Sequence, residues 1–221
     1  MAEKGSTNLS EAYTQEIHFL NSILTSPLHR QSKSPTLWFH RWWLVNQLIP
    51  QTQDYESLFT SEMWAIMKSA ERHPNNYYAW QYGRKFLLGL LKLENSNQPL
   101  PTLQKVHDLI NIWCLSNPSD TSGWTFLAFV LRNVPTDPST SSKVIESVMG
   151  FASKTAWKKE ALWVFLRDIA SDESVLPSKE RARLYAKIHD FVESSMSQLD
   201  PDEKAEIPSM QRRRLWRLPV I

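Results

Sequence analysis

Glycine and cysteine are scarce in this chain: five glycines and one cysteine among 221 residues. Gly5, Gly83, Gly89, Gly123 and Gly150 are spaced so that neither the dinucleotide fingerprint nor a GxxxxGK phosphate loop can be written. No Asn-Gly or Asp-Gly hairpin turn occurs either, so β-rich and nucleotide-binding α/β classes lose their main support. The lone Cys114 excludes an internal disulfide, and no two of the six histidines stand four residues apart. No metal site is therefore expected within the chain. Long apolar runs are missing as well. Stretches such as Phe126 to Leu131 fall far short of the ~20 residues of a membrane span, and the first residues carry no apolar signal core. The expectation is a cytoplasmic protein with no membrane span. Charge of one sign is lacking too: 25 basic against 23 acidic side chains leave a net +2, without the basic excess that nucleic-acid binding draws on.

What the chain does have is hydrophobic residues (42%) and ten tryptophans. At this length a folded chain hides roughly 70% of its unfolded surface. Four of the tryptophans, Trp38, Trp80, Trp124 and Trp163, follow one another at steps of 42, 44 and 39 residues, a period in the range of helical repeats. In three of the four segments a proline precedes the tryptophan, where a helix can begin without needing its N–H. Apolar residues continue at helical spacing, as in Trp38, Trp42, Val45 and Ile49, or Tyr77, Trp80, Leu87 and Leu91.

Between these helices the same period predicts others, read from Met63, Ile66 and Ala70, from Leu103, Val106, Ile110 and Trp113, and from Val144, Val148 and Phe151. An opening helix over Leu9 to Leu24 and a capping helix over about 178–196, with Leu184, Ile188, Phe191 and Val192 inward, complete the set. Loops are expected where Pro, Asn and Ser cluster: Pro27 to Ser34, Asn95 to Pro101, Pro135 to Ser141 and Ser171 to Pro177. The expected fold is all-α, a right-handed α-α superhelix or solenoid of stacked antiparallel helix pairs. It forms a single helical-repeat domain over 1–221 with a flexible tail from about 200. The four tryptophans are its structural repeat core.

The segment Pro74-Asn-Asn-Tyr-Tyr-Ala-Trp resembles the P-x-N-Y-x-x-W-x-H-R repeat signature of protein prenyltransferase alpha subunits. Pro35-Thr-Leu-Trp-Phe-His-Arg carries the Trp-x-His-Arg half, and Glu160-Ala-Leu-Trp is similar to the Glu-x-x-Trp form of a late repeat. The resemblance covers roughly residues 34 to 170 and is to the divergent, geranylgeranyltransferase alpha-type branch. It implies a transferase heterodimer: a beta subunit holds zinc and the isoprenoid diphosphate, and a protein substrate presents the acceptor cysteine. The alpha-type chain itself carries no cofactor, no metal and no catalytic residue assigned with certainty.

The resemblance points to His40, Arg41, Asn75, Asn76, Tyr77, Tyr78, Tyr82 and Arg84 as contacts for substrate or beta subunit. The reading of Arg41, Arg84 and Arg167 from the residues themselves is that they tie adjacent repeats together or meet carboxylates across an interface. Departures from the pattern matter. The diphosphate-contacting lysine two residues before the motif tyrosine is Asn75 here, and the glutamine after that tyrosine is Tyr78. After Trp80 the His-Arg pair becomes Tyr82-Gly83, and after Trp124 it becomes Phe126-Leu127. The alternative function is a non-catalytic helical-repeat adaptor that binds a protein partner on its concave face.

Overall fold

A computed structural model of the chain describes residues 2–94, 101–157 and 159–197. The tail from about 200, the basic run Arg212 to Arg217 and nearly all of the loop expected at Asn95 to Pro101 lie outside the described residues, as do the side chains of Phe191 and Val192. Among the described residues all regular structure is helical. In chain order the helices are α1 (Ala2–Leu24), α2 (His29–Ser32), α3 (Pro35–Leu48), α4 (Tyr55–Arg72), α5 (Tyr77–Glu94), α6 (Pro101–Gln104), α7 (Val106–Ser116), α8 (Thr121–Asn133), α9 (Pro138–Thr155), α10 (Glu160–Ala170) and α11 (Ser178–Ser197). The all-α repeat expectation holds. Its boundaries differ in several places: α1 starts at Ala2, a short α2 occupies the expected Pro27–Ser34 loop, the helix expected through Leu103 and Val106 is interrupted at Lys105, and α9 starts at Pro138.

Local chemistry sets the helix starts. Ser34 precedes Pro35 and accepts from Leu37 N at 3.4 Å. Asp54 accepts from Ser57 N at 2.9 Å, and Asp120 from Gly123 N at 2.7 Å. Each side chain satisfies an N–H that the first turn leaves without a partner. Asp137 does the same for Ser139 N at 2.7 Å, ahead of Pro138, so α9 begins inside the loop expected at Pro135 to Ser141.

The chain divides into two compact units, Met1–Trp113 and Cys114–Ile221, with the division inside α7. In the first unit α1 runs antiparallel to α3, with Tyr13 beside Trp43 and Glu16 beside His40. Likewise α4 runs antiparallel to α5, with Ser69 level with Asn76 and Glu62 with Tyr82. The two Trp-bearing helices α3 and α5 lie parallel: Trp38 meets Tyr82, and Trp42 meets Gly89. A Cβ on Gly89 would come 3.0 Å from Trp42 Cη2, so glycine sets how closely α3 and α5 approach. In the second unit α8 and α10 also run parallel, with Trp124 on Phe165 and Arg132 reaching Asp168 and Asp172; α11 packs on α10.

One aromatic contact recurs. Trp38 packs on Tyr82 at 5.2 Å and 37°, and Trp124 packs on Phe165 at 5.0 Å and 38°. In both, a repeat tryptophan meets the ring two residues beyond the tryptophan of the following repeat. The indole N–H also has a recurring acceptor, the carbonyl six residues back: Trp38 to Ser32 at 2.7 Å, Trp124 to Pro118 at 3.0 Å and Trp163 to Trp157 at 2.8 Å. Burying one indole removes on the order of 200 Å² from water, an upper bound of roughly 5 kcal/mol. The N–H bond spares each site the cost of a buried donor without an acceptor. The tryptophan period therefore encodes both the packing and the loop that precedes each helix.

Candidate functional site

The turn that opens α5 divides its residues between interior and solvent. His73 closes α4, and Asn75 adopts φ 58°, a left-handed backbone that asparagine tolerates better than most residues. Asn76 turns inward. Its Nδ2 donates to Ser32 O and to Ser69 Oγ, both at 3.0 Å, and its Oδ1 accepts from Ala79 N at 3.4 Å. Ser32 O thus receives both Trp38 and Asn76, which joins the loop before α3 to the loop before α5. Lys33 Nζ donates to Pro74 O at 3.0 Å across the same junction. Trp80 is fully buried, edge-on to Trp113 at 4.8 Å.

Tyr77 and Tyr78 point the other way. Their rings meet edge to face at 5.5 Å, and Tyr77 is 55% exposed. Gln81 Nε2 donates to Tyr77 OH, and Arg84 Nη1 donates to Gln81 Oε1 at 3.3 Å, so a polar row runs up α5 from the tyrosine pair. Burial lowers the half-buried Arg84 guanidinium from its ordinary pKa, with Tyr77 opposing.

Arg41 and Tyr82 belong to a buried cluster. Arg41 is 0% and Glu62 1% exposed at the side chain, and the guanidinium grips the carboxylate with two bonds, Nε to Oε2 and Nη2 to Oε1, both 2.7 Å. Tyr82 OH donates to the same Oε2, and its ring lies 5.8 Å from the Arg41 guanidinium carbon. Burial pushes the Tyr82 phenol well up, so it keeps its proton and donates. Burial acts to lower Arg41, yet Glu62 and Tyr82 raise it on balance, so it stays a cation. The cluster fastens α3, α4 and α5 together.

His40 lies at the surface edge, its Nε2 3.3 Å from Glu16 Oε1 and its ring parallel to Trp43 at 6.1 Å. The eight candidate contacts therefore separate. Asn75, Tyr77 and Tyr78 are exposed, while His40 and Arg84 are half-buried. Arg41, Asn76 and Tyr82 are buried against their own chain, and Arg41 ties neighbouring helices. Arg167 is half-buried on α10, in a groove between α8 and α10 floored by Trp124, Ala128 and Phe165.

Sequence reasoning missed Glu62, although its signal is present: a carboxylate on the apolar stripe of Phe59, Met63 and Ile66 needs a buried cation. Among the described residues no group of three His, Cys, Asp or Glu is placed to hold a metal ion. Nor is any helix among them long and apolar enough to cross a membrane. Cys114 is buried, and burial together with Asp120 lifts its thiol well above the ordinary range, which removes it as a nucleophile at neutral pH. The exposed groups at the α5 turn are phenols and an amide, suited to hydrogen bonding and ring contact with a bound surface.

A family model described as the ECM9 middle domain matches residues 37–149, from α3 into α9. The chain is 28% identical over 130 residues to the human protein prenyltransferase alpha subunit repeat-containing protein 1, covering 52% of this chain and 31% of that protein. It is 24% identical over 124 residues to protein ECM9 of Saccharomyces cerevisiae, covering 56% of this chain and 30% of that protein. The chain thus spans about a third of the length of these relatives, and the resemblance is one of family.

Proposed function

We propose, for a chain that belongs to the ECM9 middle-domain family, that it serves as an alpha-type scaffold of a heterodimeric protein prenyltransferase. In this reading a separate beta subunit holds zinc and the isoprenoid diphosphate, and geranylgeranyl passes to a cysteine of a protein substrate. The chain acts in the cytoplasm, supplies no bond-making group and is inactive alone. What supports the reading is the division of the signature at Pro74–Trp80. Asn76 and Trp80 are spent on anchoring the turn, which leaves Tyr77 and Tyr78 facing outward. Such rings give contact area at low entropic cost. A similarity to a protein named for prenyltransferase alpha-subunit repeats supports it further.

The chemistry assigned to the partner explains what this chain can leave out. A zinc-bound thiolate is the nucleophile, and positive charge stabilises the departing diphosphate. With a neutral amide at Asn75, that charge has to come from the beta subunit. The test is co-expression with a Rab-type geranylgeranyltransferase beta subunit. A stable heterodimer that contains zinc and transfers geranylgeranyl is the expected result, with Tyr77→Ala/Tyr78→Ala weakening assembly or transfer while the chain stays folded. Indifference to every prenyltransferase beta subunit would overturn the proposal and leave the adaptor role. Asn75→Lys, with Asn75→Gln as the control for the left-handed backbone, should tighten isoprenoid diphosphate binding by the heterodimer. Unchanged affinity would mean that the turn does not face the diphosphate.

A further inference from the structure

Acidic residues are distributed unevenly over the first unit. No Asp or Glu occurs between Glu16 and Asp54, nor between Glu71 and Glu94. The first stretch contains α2 and α3, and the second contains α5 up to its last residue. The fold lays these two acid-free stretches side by side, since α3 and α5 run parallel, with Trp38 against Tyr82 and Trp42 against Gly89. Their outer faces carry large apolar groups: Phe39, 62% exposed, and Trp43 on α3, with Leu88 on α5. Lys85 of α5 holds its ammonium 5.4 Å from the Phe39 ring, and Arg30 and Lys92 are exposed on the same two stretches. Exposed acidic side chains stand on α4 and the turn before it, at Asp54, Glu56 and Glu71, and on α1, where Glu11 is exposed and the half-buried Glu16 meets His40 of α3 at 3.3 Å. The corresponding parallel pair in the second unit is mixed in sign: α8 and α10 bring Arg132 against Asp168 and Asp172.

We propose that the outer face of α3 and α5 is a docking surface for an acidic amphipathic helix of a partner polypeptide. Phe39 and Trp43, one turn apart, would receive apolar side chains, and Lys85 beside Phe39 would meet carboxylates. Helices dock on such faces through apolar anchors one and two turns apart, and complementary charge selects and orients them. A protein occupant fits better than a nucleic acid, because Phe39, Trp43 and Leu88 offer apolar anchors, whereas a phosphate backbone requires many cations in register. The inference goes beyond the transferase reading, since it fixes the charge of the occupant whichever polypeptide carries it.

The test uses the whole chain and three labelled helical peptides with identical leucine spacing and Glu, Gln or Lys at the polar positions, followed by fluorescence anisotropy. The Glu peptide should bind at least about tenfold more tightly than the Gln peptide, with affinity falling as salt rises from about 50 to about 300 mM. Lys85→Glu and Phe39→Ala should each weaken it about fivefold or more with no change in thermal midpoint, because both side chains are exposed. Trp64→Ala, an exposed ring on α4, should leave it unchanged. Equal binding of the Glu and Gln peptides, or an unaffected Lys85→Glu variant, would overturn the proposal. So would a single-stranded RNA oligomer, or vesicles rich in phosphatidylserine, that bind through Lys85 more tightly than the Glu peptide.

Discussion

Removing the Arg41 cation while keeping its volume, as in Arg41→Met, is the most informative single change in the first unit. It leaves the Glu62 carboxylate buried with only the Tyr82 hydroxyl as a donor, because both 2.7 Å bonds from the guanidinium disappear. A buried charge that loses its partner costs about 3–5 kcal/mol, a large part of the ~5–15 kcal/mol that holds a typical domain together. Tyr82→Phe should cost less, about 1–3 kcal/mol, since one bond to a charged acceptor is lost and the Arg41 grip remains. The ring itself is tolerated there, as Phe126 and Phe165 occupy the matching positions two residues after Trp124 and Trp163. The pair replacement Arg41→Met with Glu62→Leu removes both charges together and should be far milder than Arg41→Met alone. Arg41 Nη1 finds no acceptor among the described residues, so the native pair is itself imperfectly satisfied. Urea denaturation of these variants and of Glu62→Leu alone, followed by far-ultraviolet ellipticity and tryptophan fluorescence, yields the four costs and the coupling of the pair. A loss under about 1 kcal/mol for Arg41→Met, or a pair variant as unstable as the sum of its single changes, would refute the assignment of this cluster as the clamp between α3, α4 and α5.

Gly150→Ala should stabilise α9 by about 0.5–1 kcal/mol, since a Cβ there meets nothing within 4 Å, whereas Gly89→Ala should gain less or lose stability against Trp42; their denaturation midpoints give the comparison. Cys114 should resist alkylation in the folded protein at pH 8 and react as the chain unfolds in urea, and rapid labelling without denaturant would contradict its burial. Acid should weaken the second unit. Burial raises Asp172, but hydrogen bonds from Ser174 and Arg132 hold it below the usual carboxylate range, and Ser139 does the same for Asp137. A carboxyl depressed in the folded state stabilises above its unfolded pKa and loses that contribution as pH falls through the folded value, so stability should drop below about pH 4. That drop should be smaller in Asp172→Asn.

Helix type and order were legible because the tryptophan period and the apolar stripes agree, and agreement between levels is what a well-specified fold requires. Of the three prolines expected to open these helices only Pro35 does so, since α5 opens at Tyr77 and α8 at Thr121, three residues beyond Pro74 and Pro118. Boundaries were less legible where the deciding interaction is not periodic. The short α2 arises in a stretch of Pro, Ser and basic residues that carries only turn signals, and the interruption at Lys105 falls within a stripe whose apolar spacing continues through it. At the candidate site the signature named the right turn but not the direction of each side chain. Asn76 and Tyr77 are adjacent, and only the acceptors Ser32 O and Ser69 Oγ, drawn from two other segments, decide that one is inside and the other outside. Phe39, Trp43 and Lys85 were passed over because the motif leaves the position of Phe39 unspecified and does not reach the other two, although the acid-free stretches around them are visible in the sequence.

The same positions explain why the motif varies between repeats. The residue two beyond each tryptophan is His40, Tyr82, Phe126 and Phe165 in turn, and the next is Arg41, Gly83, Leu127 and Leu166. Where the structure gives the contact, the first of these from one repeat is the ring that receives the tryptophan of the preceding repeat. His40 lies at the surface edge beside Glu16. Arg41 is tolerated inside because α4 offers Glu62 and α5 offers a tyrosine at the receiving position. Leu127 and Leu166 hold the equivalent place as buried apolar side chains. The His-Arg pair of the first repeat and its replacement after Trp80 and Trp124 are therefore one packing rule met with different neighbours. Erosion of that part of the motif bears on stability, whereas change at Asn75, Tyr77 or Tyr78 bears on what the chain can bind.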